Sequence, residues 1–98
     1  MAKFGEIISS NSPTLIDFYN ESNEDNELIH NVLRDVAAAL GDKAKVIKID
    51  INKNDKLVDA LRIKGTPTFI IYKNSEMKWR QSGEQDANTL ISLVEQFV

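Results

Sequence analysis

Two short runs rich in β-branched and aromatic residues, TLIDFY at 14–19 and KVIKIDI at 45–51, stand on either side of a long helical pattern, and that arrangement admits few folds. From Glu24 onward Leu28, Ile29, Val32, Leu33, Val36 and Leu40 fall one, three and four positions apart, which gathers apolar side chains on one helical face. Gly41 then supplies a residue able to end the helix in the left-handed conformation. A helix of that length between two strands makes a parallel crossover, right-handed when both strands share a sheet. TLIDFY, bounded by Pro13, suits a strand buried on both faces, with Asp17 as its anomaly.

The other segments extend the sheet and cover it. KFGEIIS at 3–9 places Phe4, Ile7 and Ile8 on one helical face before SNSP breaks the turn. After the second strand, NDKLVDALRI reads as a brief helix with Leu57, Val58 and Leu61 inward. GTPTFIIYK enters a strand through Gly65 and Pro67, NSE turns tightly and MKWRQSG returns, so residues 68–82 read as an antiparallel hairpin. Asp86 caps a last helix whose Leu90, Ile91, Leu93, Val94 and Phe97 share a face. The order predicts a mixed sheet with helices on both faces, an α/β sandwich of three layers. Without repeats, low-complexity tracts or a Pro/Gly-rich linker, residues 1–98 read as a single domain.

Composition removes several function classes. The net charge is −3 and the lysines are interspersed with acids, so no electrostatic footprint for nucleic acid is expected. No apolar run approaches the roughly 18 residues of a membrane helix, and MAKFGEIISSN has too short an apolar core for a secretory signal; a cytoplasmic monomer is the expectation. Cysteine is absent, which excludes disulfides, thiolate catalysis and cysteine-ligated metal. With one histidine, no zinc site and no cofactor are expected.

On LIDFY at 15–19, KVIKIDI at 45–51, LRIKGTPTFIIYKN at 61–74 and SGEQDANTL at 82–90, the sequence resembles the thioredoxins over almost its whole length. GTPTF is the most specific of these stretches. The resemblance implies the thioredoxin fold and a cis peptide bond between Thr66 and Pro67, tolerable because X-Pro bonds favour trans by only about 0.5–1 kcal/mol. It also implies an exposed Thr66 backbone able to pair with an extended partner chain. Thioredoxins carry a Trp-Cys-Gly-Pro-Cys-Lys run at the start of the long helix. Here the same places hold Ser22, Asn23, Glu24, Asp25, Asn26 and Glu27, so both cysteine positions are asparagine, and the proline that kinks the helix further on is Asn31.

Thiol–disulfide exchange needs a thiolate that attacks sulfur, and a carboxamide lacks that chemistry. The expectation is therefore a redox-inactive, non-enzymatic interaction domain. Its binding residues would be Thr66, Pro67, Ser22, Asn23, Glu24, Asp25 and Gly83, and its partners extended protein or peptide segments. The alternative is a bacterial-type thioredoxin whose active-site segment was replaced, naturally or by engineering, its parent being a protein-disulfide reductase.

The stretch ESNEDNE reads as a helix start, with Ser22 or Asn23 as cap and Glu24, Asp25 and Glu27 meeting the positive end of the helix dipole. Glu21, Asn23, Asp25 and Glu27 alternate as calcium-loop ligands do, but the sixth position is Asn26 rather than glycine and the twelfth Val32 rather than an acid, so no metal site is expected. By the resemblance, Asp17 matches an acid buried beneath the active site near a lysine matched by Lys48, where it helps move protons to the second cysteine. With no cysteine to serve, Asp17 reads as a vestigial buried acid, its pKa raised by desolvation and partly lowered by Lys48. His30 reads as an exposed residue off the apolar stripe, and Trp79 and Tyr72 as packing residues of the hairpin.

Overall fold

The computed structural model describes residues 3–22 and 26–98. In chain order the elements are α1 (Phe4–Ile8), β1 (Thr14–Tyr19), α2 (Asn26–Leu40), β2 (Lys45–Asp50), α3 (Asp55–Leu61), β3 (Thr68–Lys73), β4 (Glu76–Ser82) and α4 (Ala87–Glu95). The strands form one sheet in the order β2-β1-β3-β4. β1 runs parallel to β2, with Thr14 opposite Lys45 and Asp17 opposite Lys48, and antiparallel to β3, with Thr14 opposite Tyr72.

Because side chains alternate across a strand, each central strand feeds two cores. Leu15 of β1 and Phe69 and Ile71 of β3 pack on Ile29, Leu33, Val36 and Leu40 of α2 and on Leu90 and Val94 of α4. On the other face Ile16, Phe18, Ile70 and Tyr72 meet Ile8 and Ile63 beside α1 and α3. A fully buried side chain of this kind stabilises by about 1.5–3 kcal/mol, so the two central strands anchor both layers. Phe4 meets the Tyr72 ring edge-on at 5.5 Å.

Helix ends are set by contacts between elements as much as by local sequence. Gly41, at φ +53, stops α2 and opens a short 3-10 turn, Gly41–Lys43. The pattern NDKLVDALRI predicts a helix to Ile63, yet α3 stops at Leu61. Arg62 adopts a left-handed φ of 56, and Arg80 of β4 donates to the carbonyls of Leu61 and Arg62 at 2.6 and 2.9 Å. A cation placed there answers both the unpaired carbonyls and the negative end of the helix dipole. β2 ends one residue before Ile51, where the Asp50 side chain accepts the Asn52 N–H at 2.8 Å and opens a second 3-10 turn. Asp86 caps α4 by accepting the Thr89 N–H at 2.7 Å, which holds its carboxyl below the usual range.

The β3–β4 turn has both central residues at positive φ, Asn74 at 53 and Ser75 at 67, the left-handed pair that suits the twist of a two-residue hairpin. Ile71 faces Trp79 while Tyr72 faces Met77, so Lys78 is an extra residue, a bulge in the edge strand. Among the described residues no helix is long and apolar enough to cross a membrane.

Candidate functional site

The junction between β1 and α2 is organised by amides. Asn20 Oδ1 accepts the Ser22 N–H at 3.0 Å, an Asx turn, and also Asn52 Nδ2 at 2.9 Å from the turn after β2. The Asn20 carbonyl accepts Asn26 Nδ2, so the first residue of α2 is tied back to the end of β1. Asn26 is buried, and its Oδ1 has no hydrogen-bond partner. One of the two asparagines at cysteine-matched positions therefore works as a structural tie. The other, Asn23, lies with Glu24 and Asp25 outside the described residues, as does the cap of α2. Ser22 and Glu21 are exposed.

Beneath this junction sits Asp17. It shares the face of β1 that carries Leu15, under α2 and α4, and is 0% exposed, with neither carboxylate oxygen hydrogen-bonded. Burial pushes its carboxyl up to about 7, while the charge of Lys48, its register partner on β2, pulls part of the way back. Desolvation dominates because the Lys48 side chain stays exposed, where water screens it.

His30 departs from its expected exposure. The Tyr19 ring covers it edge-on at 5.0 Å, and its Nε2 is buried without a partner. Desolvation and then the nearby Lys48 charge lower its pKa, against a smaller pull from Glu21. With Leu33, Arg34, Ala37, Val46 and Lys48 it lines a groove of about 310 Å³ between α2 and β2. Helical spacing alone puts His30 off the apolar stripe; the neighbour that covers it comes from a different element.

The peptide bond between Thr66 and Pro67 is cis. Pro67 is buried and its carbonyl accepts the Gly83 N–H at 2.8 Å, which joins this loop to the one before α4. Thr68 Oγ1 reaches both the Gly65 carbonyl and Ser82 Oγ, fixing the loop from inside. Thr66 itself is half-buried, and among the described residues its backbone makes no hydrogen bond to another loop or turn. Gly83 has a φ of +101 with open space where a Cβ would stand, so the backbone angle rather than crowding asks for glycine. Beside this ledge a second groove is lined by Leu28, Ile29 and Val32 of α2, Phe69 of β3, and Glu84 and Gln85.

The arrangement thus brings together an unpaired backbone ledge, a buried acid and an apolar groove, without sulfur. Among the described residues no cluster of three His, Asp or Glu could hold a metal ion. The tie from Asn20 to Asn26 and Asn52 was missed at the sequence level. Its one signal is asparagine at three turn positions, and which of them pair depends on the fold.

Comparison with known proteins adds a separate line of support. The family model described as Thioredoxin matches residues 1–96. The chain is 36% identical over 95 residues to thioredoxin Y, chloroplastic, of Oryza sativa subsp. japonica, covering 96% of this chain and 56% of that one, so it spans little more than half of that relative. It is 29% identical to a thioredoxin of Rickettsia prowazekii over 89 residues, 91% of this chain and 85% of the other. Among solved structures, a mutant thioredoxin from Halobacterium salinarum superposes with a TM-score of 0.85 at 27% identity, covering 99% of this chain and 84% of that one.

Proposed function

The chain belongs to the thioredoxin family, and from that premise we propose that it is a redox-inactive member that binds extended segments of other proteins. The observation that carries this reading is the pairing of a free backbone ledge with the loss of every cysteine. Thr66 offers N–H and C=O groups beside Pro67, while positions 23 and 26 hold asparagine. An extended segment can add to such a ledge by main-chain hydrogen bonds, each contributing about 0.5–1.5 kcal/mol net, with side-chain contacts supplying preference. Disulfide exchange has no route, because each step forms or breaks a bond to a protein sulfur and none is present.

Two measurements test it. With dithiothreitol and insulin, the protein leaves the rate of precipitation at that of buffer; a catalytic rate would overturn the redox half of the reading. Titration of ¹⁵N-labelled protein with an unfolded, carboxyamidomethylated polypeptide shifts the amides of Thr66, Thr68 and Gly83. A spectrum unchanged at millimolar polypeptide removes the binding half.

A further inference from the structure

The chain's 12 lysines and arginines are unevenly placed: Lys3 stands alone near the start, and all the others fall between Arg34 and Arg80. The segments 4–33 and 81–98 carry no Lys or Arg, while they hold Glu21, Glu24, Asp25 and Glu27 in the first, and Glu84, Asp86 and Glu95 in the second. The fold brings these two cation-free segments together. Leu28, Ile29 and Val32 of α2 form one wall of a groove floored by Phe69, and Glu84 and Gln85 form the other. The positive groups of α2 are turned away: Arg34 lies with His30 and Lys48 in the groove on the opposite flank of the helix.

The groove is apolar at its base and exposed at its rim. Leu28 is 67% exposed, the largest exposure among the chain's big apolar side chains in the described residues, and Glu84 is exposed opposite it. The enclosed space, about 70 Å³, is less than half of the roughly 150 Å³ that accommodates benzene in a dry engineered cavity, so it suits the end of one aliphatic side chain rather than a ring. None of the residues lining the groove is Lys or Arg, and positive potential from the backbone comes from the N-termini of α2 and α4. Each is equivalent to about half a charge and is outweighed by the acids in the same segments.

We propose that this groove takes an aliphatic side chain of an extended partner segment whose neighbouring residues are lysine or arginine. The proposal rests on the reading of the chain as a binder of extended segments and adds the chemistry of what it selects. The apolar end is drawn in by burial against Leu28, Val32 and Phe69, and the flanking cations are drawn by Glu84, which lines the groove, and by the exposed Glu27, which precedes Leu28 on α2. A segment with acids beside the same leucine meets like charge on both rims and is rejected, which gives the groove its selectivity.

Three acetylated, amidated nonapeptides test it, each with a central leucine flanked on both sides by arginine, serine or glutamate. Binding is followed by amide shifts of the ¹⁵N-labelled protein. The arginine peptide shifts Leu28, Val32 and Gln85 and binds about tenfold tighter than the glutamate peptide, the size expected of two exposed charge contacts. In 1 M salt, where the Debye length is about 3 Å, the difference disappears. Glu84→Lys removes most of the preference, and Leu28→Ser weakens the arginine peptide about fivefold; both positions are exposed, and an amide spectrum unchanged away from the substituted residue verifies the fold. Equal affinity for the arginine and glutamate peptides overturns the proposal. If the three peptides shift Thr66 and Gly83 alike and leave Leu28 unmoved, the groove proposal falls while the ledge reading stands. If none shifts any amide, both fall.

Discussion

Asp17 is where one residue most changes the behaviour of the molecule. In the unfolded chain its carboxyl ionises near the ordinary aspartate value of 3.8, whereas the native state holds the proton up to about pH 7. The native state therefore binds more protons over that interval, and stability falls as pH rises from about 4 through 7. The contribution lost is on the order of 3 kcal/mol. Asp17→Asn should match the parent near pH 4 and exceed it by that order at pH 8, as read from urea midpoints; equal pH dependence in the two would contradict the unpaired, buried carboxyl. His30 acts in the opposite sense. Its lowered pKa means that the unfolded chain takes up a proton first as pH falls below 6.5, so stability is lost on the acid side, and His30→Gln should flatten that limb. Asp17 could be singled out in the sequence because an acid interrupts a β-branched run. His30 could not, because the Tyr19 ring that covers it sits on another element.

At the scale of elements, helix and strand ends are finished by partners distant in sequence. Arg80 donates to the last carbonyls of α3, and Lys73 Nζ donates to the Phe97 carbonyl after α4 at 2.7 Å. Arg80→Met keeps most of the stem while removing these bonds, and is expected to cost about 1–2 kcal/mol in a denaturant titration. The β3–β4 turn offers the converse change. Ser75 holds a left-handed φ of 67, a conformation that glycine adopts without a Cβ penalty, so Ser75→Gly should raise stability by about 0.5–1 kcal/mol. Strand and helix positions were readable because apolar periodicity reports burial directly. The bulge at Lys78 and the early stop of α3 were not, since each depends on which strand residue meets which helix end.

For the whole molecule, the scaffold and the chemistry separate cleanly. The sheet order, the buried Asp17 and the Thr66–Pro67 loop are all in place around a segment, residues 22–26, that carries neither the cysteines nor the tryptophan, glycine and proline of the thioredoxin run. Ser22→Trp, Asn23→Cys, Glu24→Gly, Asp25→Pro and Asn26→Cys made together should then give a chain that forms a disulfide and reduces insulin with dithiothreitol. The same five changes remove the Asn26 tie to the Asn20 carbonyl, so the variant in its reduced, dithiol form should also unfold about 1 kcal/mol more easily. Its rate is limited by charge. A thiolate introduced at the start of α2 gains from the helix dipole but is flanked in the sequence by Glu21 and Glu27, and an acid nearby favours the protonated thiol. A rise of one pKa unit lowers the thiolate fraction about tenfold near neutral pH, which outweighs the accompanying gain in nucleophilicity of roughly threefold. Adding Glu27→Lys to the five changes should therefore raise the insulin rate several-fold and lower the thiol pKa measured by iodoacetamide trapping. If the rate rose without that pKa change, repulsion by Glu27 would not be the limiting factor, and the remaining difference would lie in the shape of the junction that Asn20 and Asn52 hold.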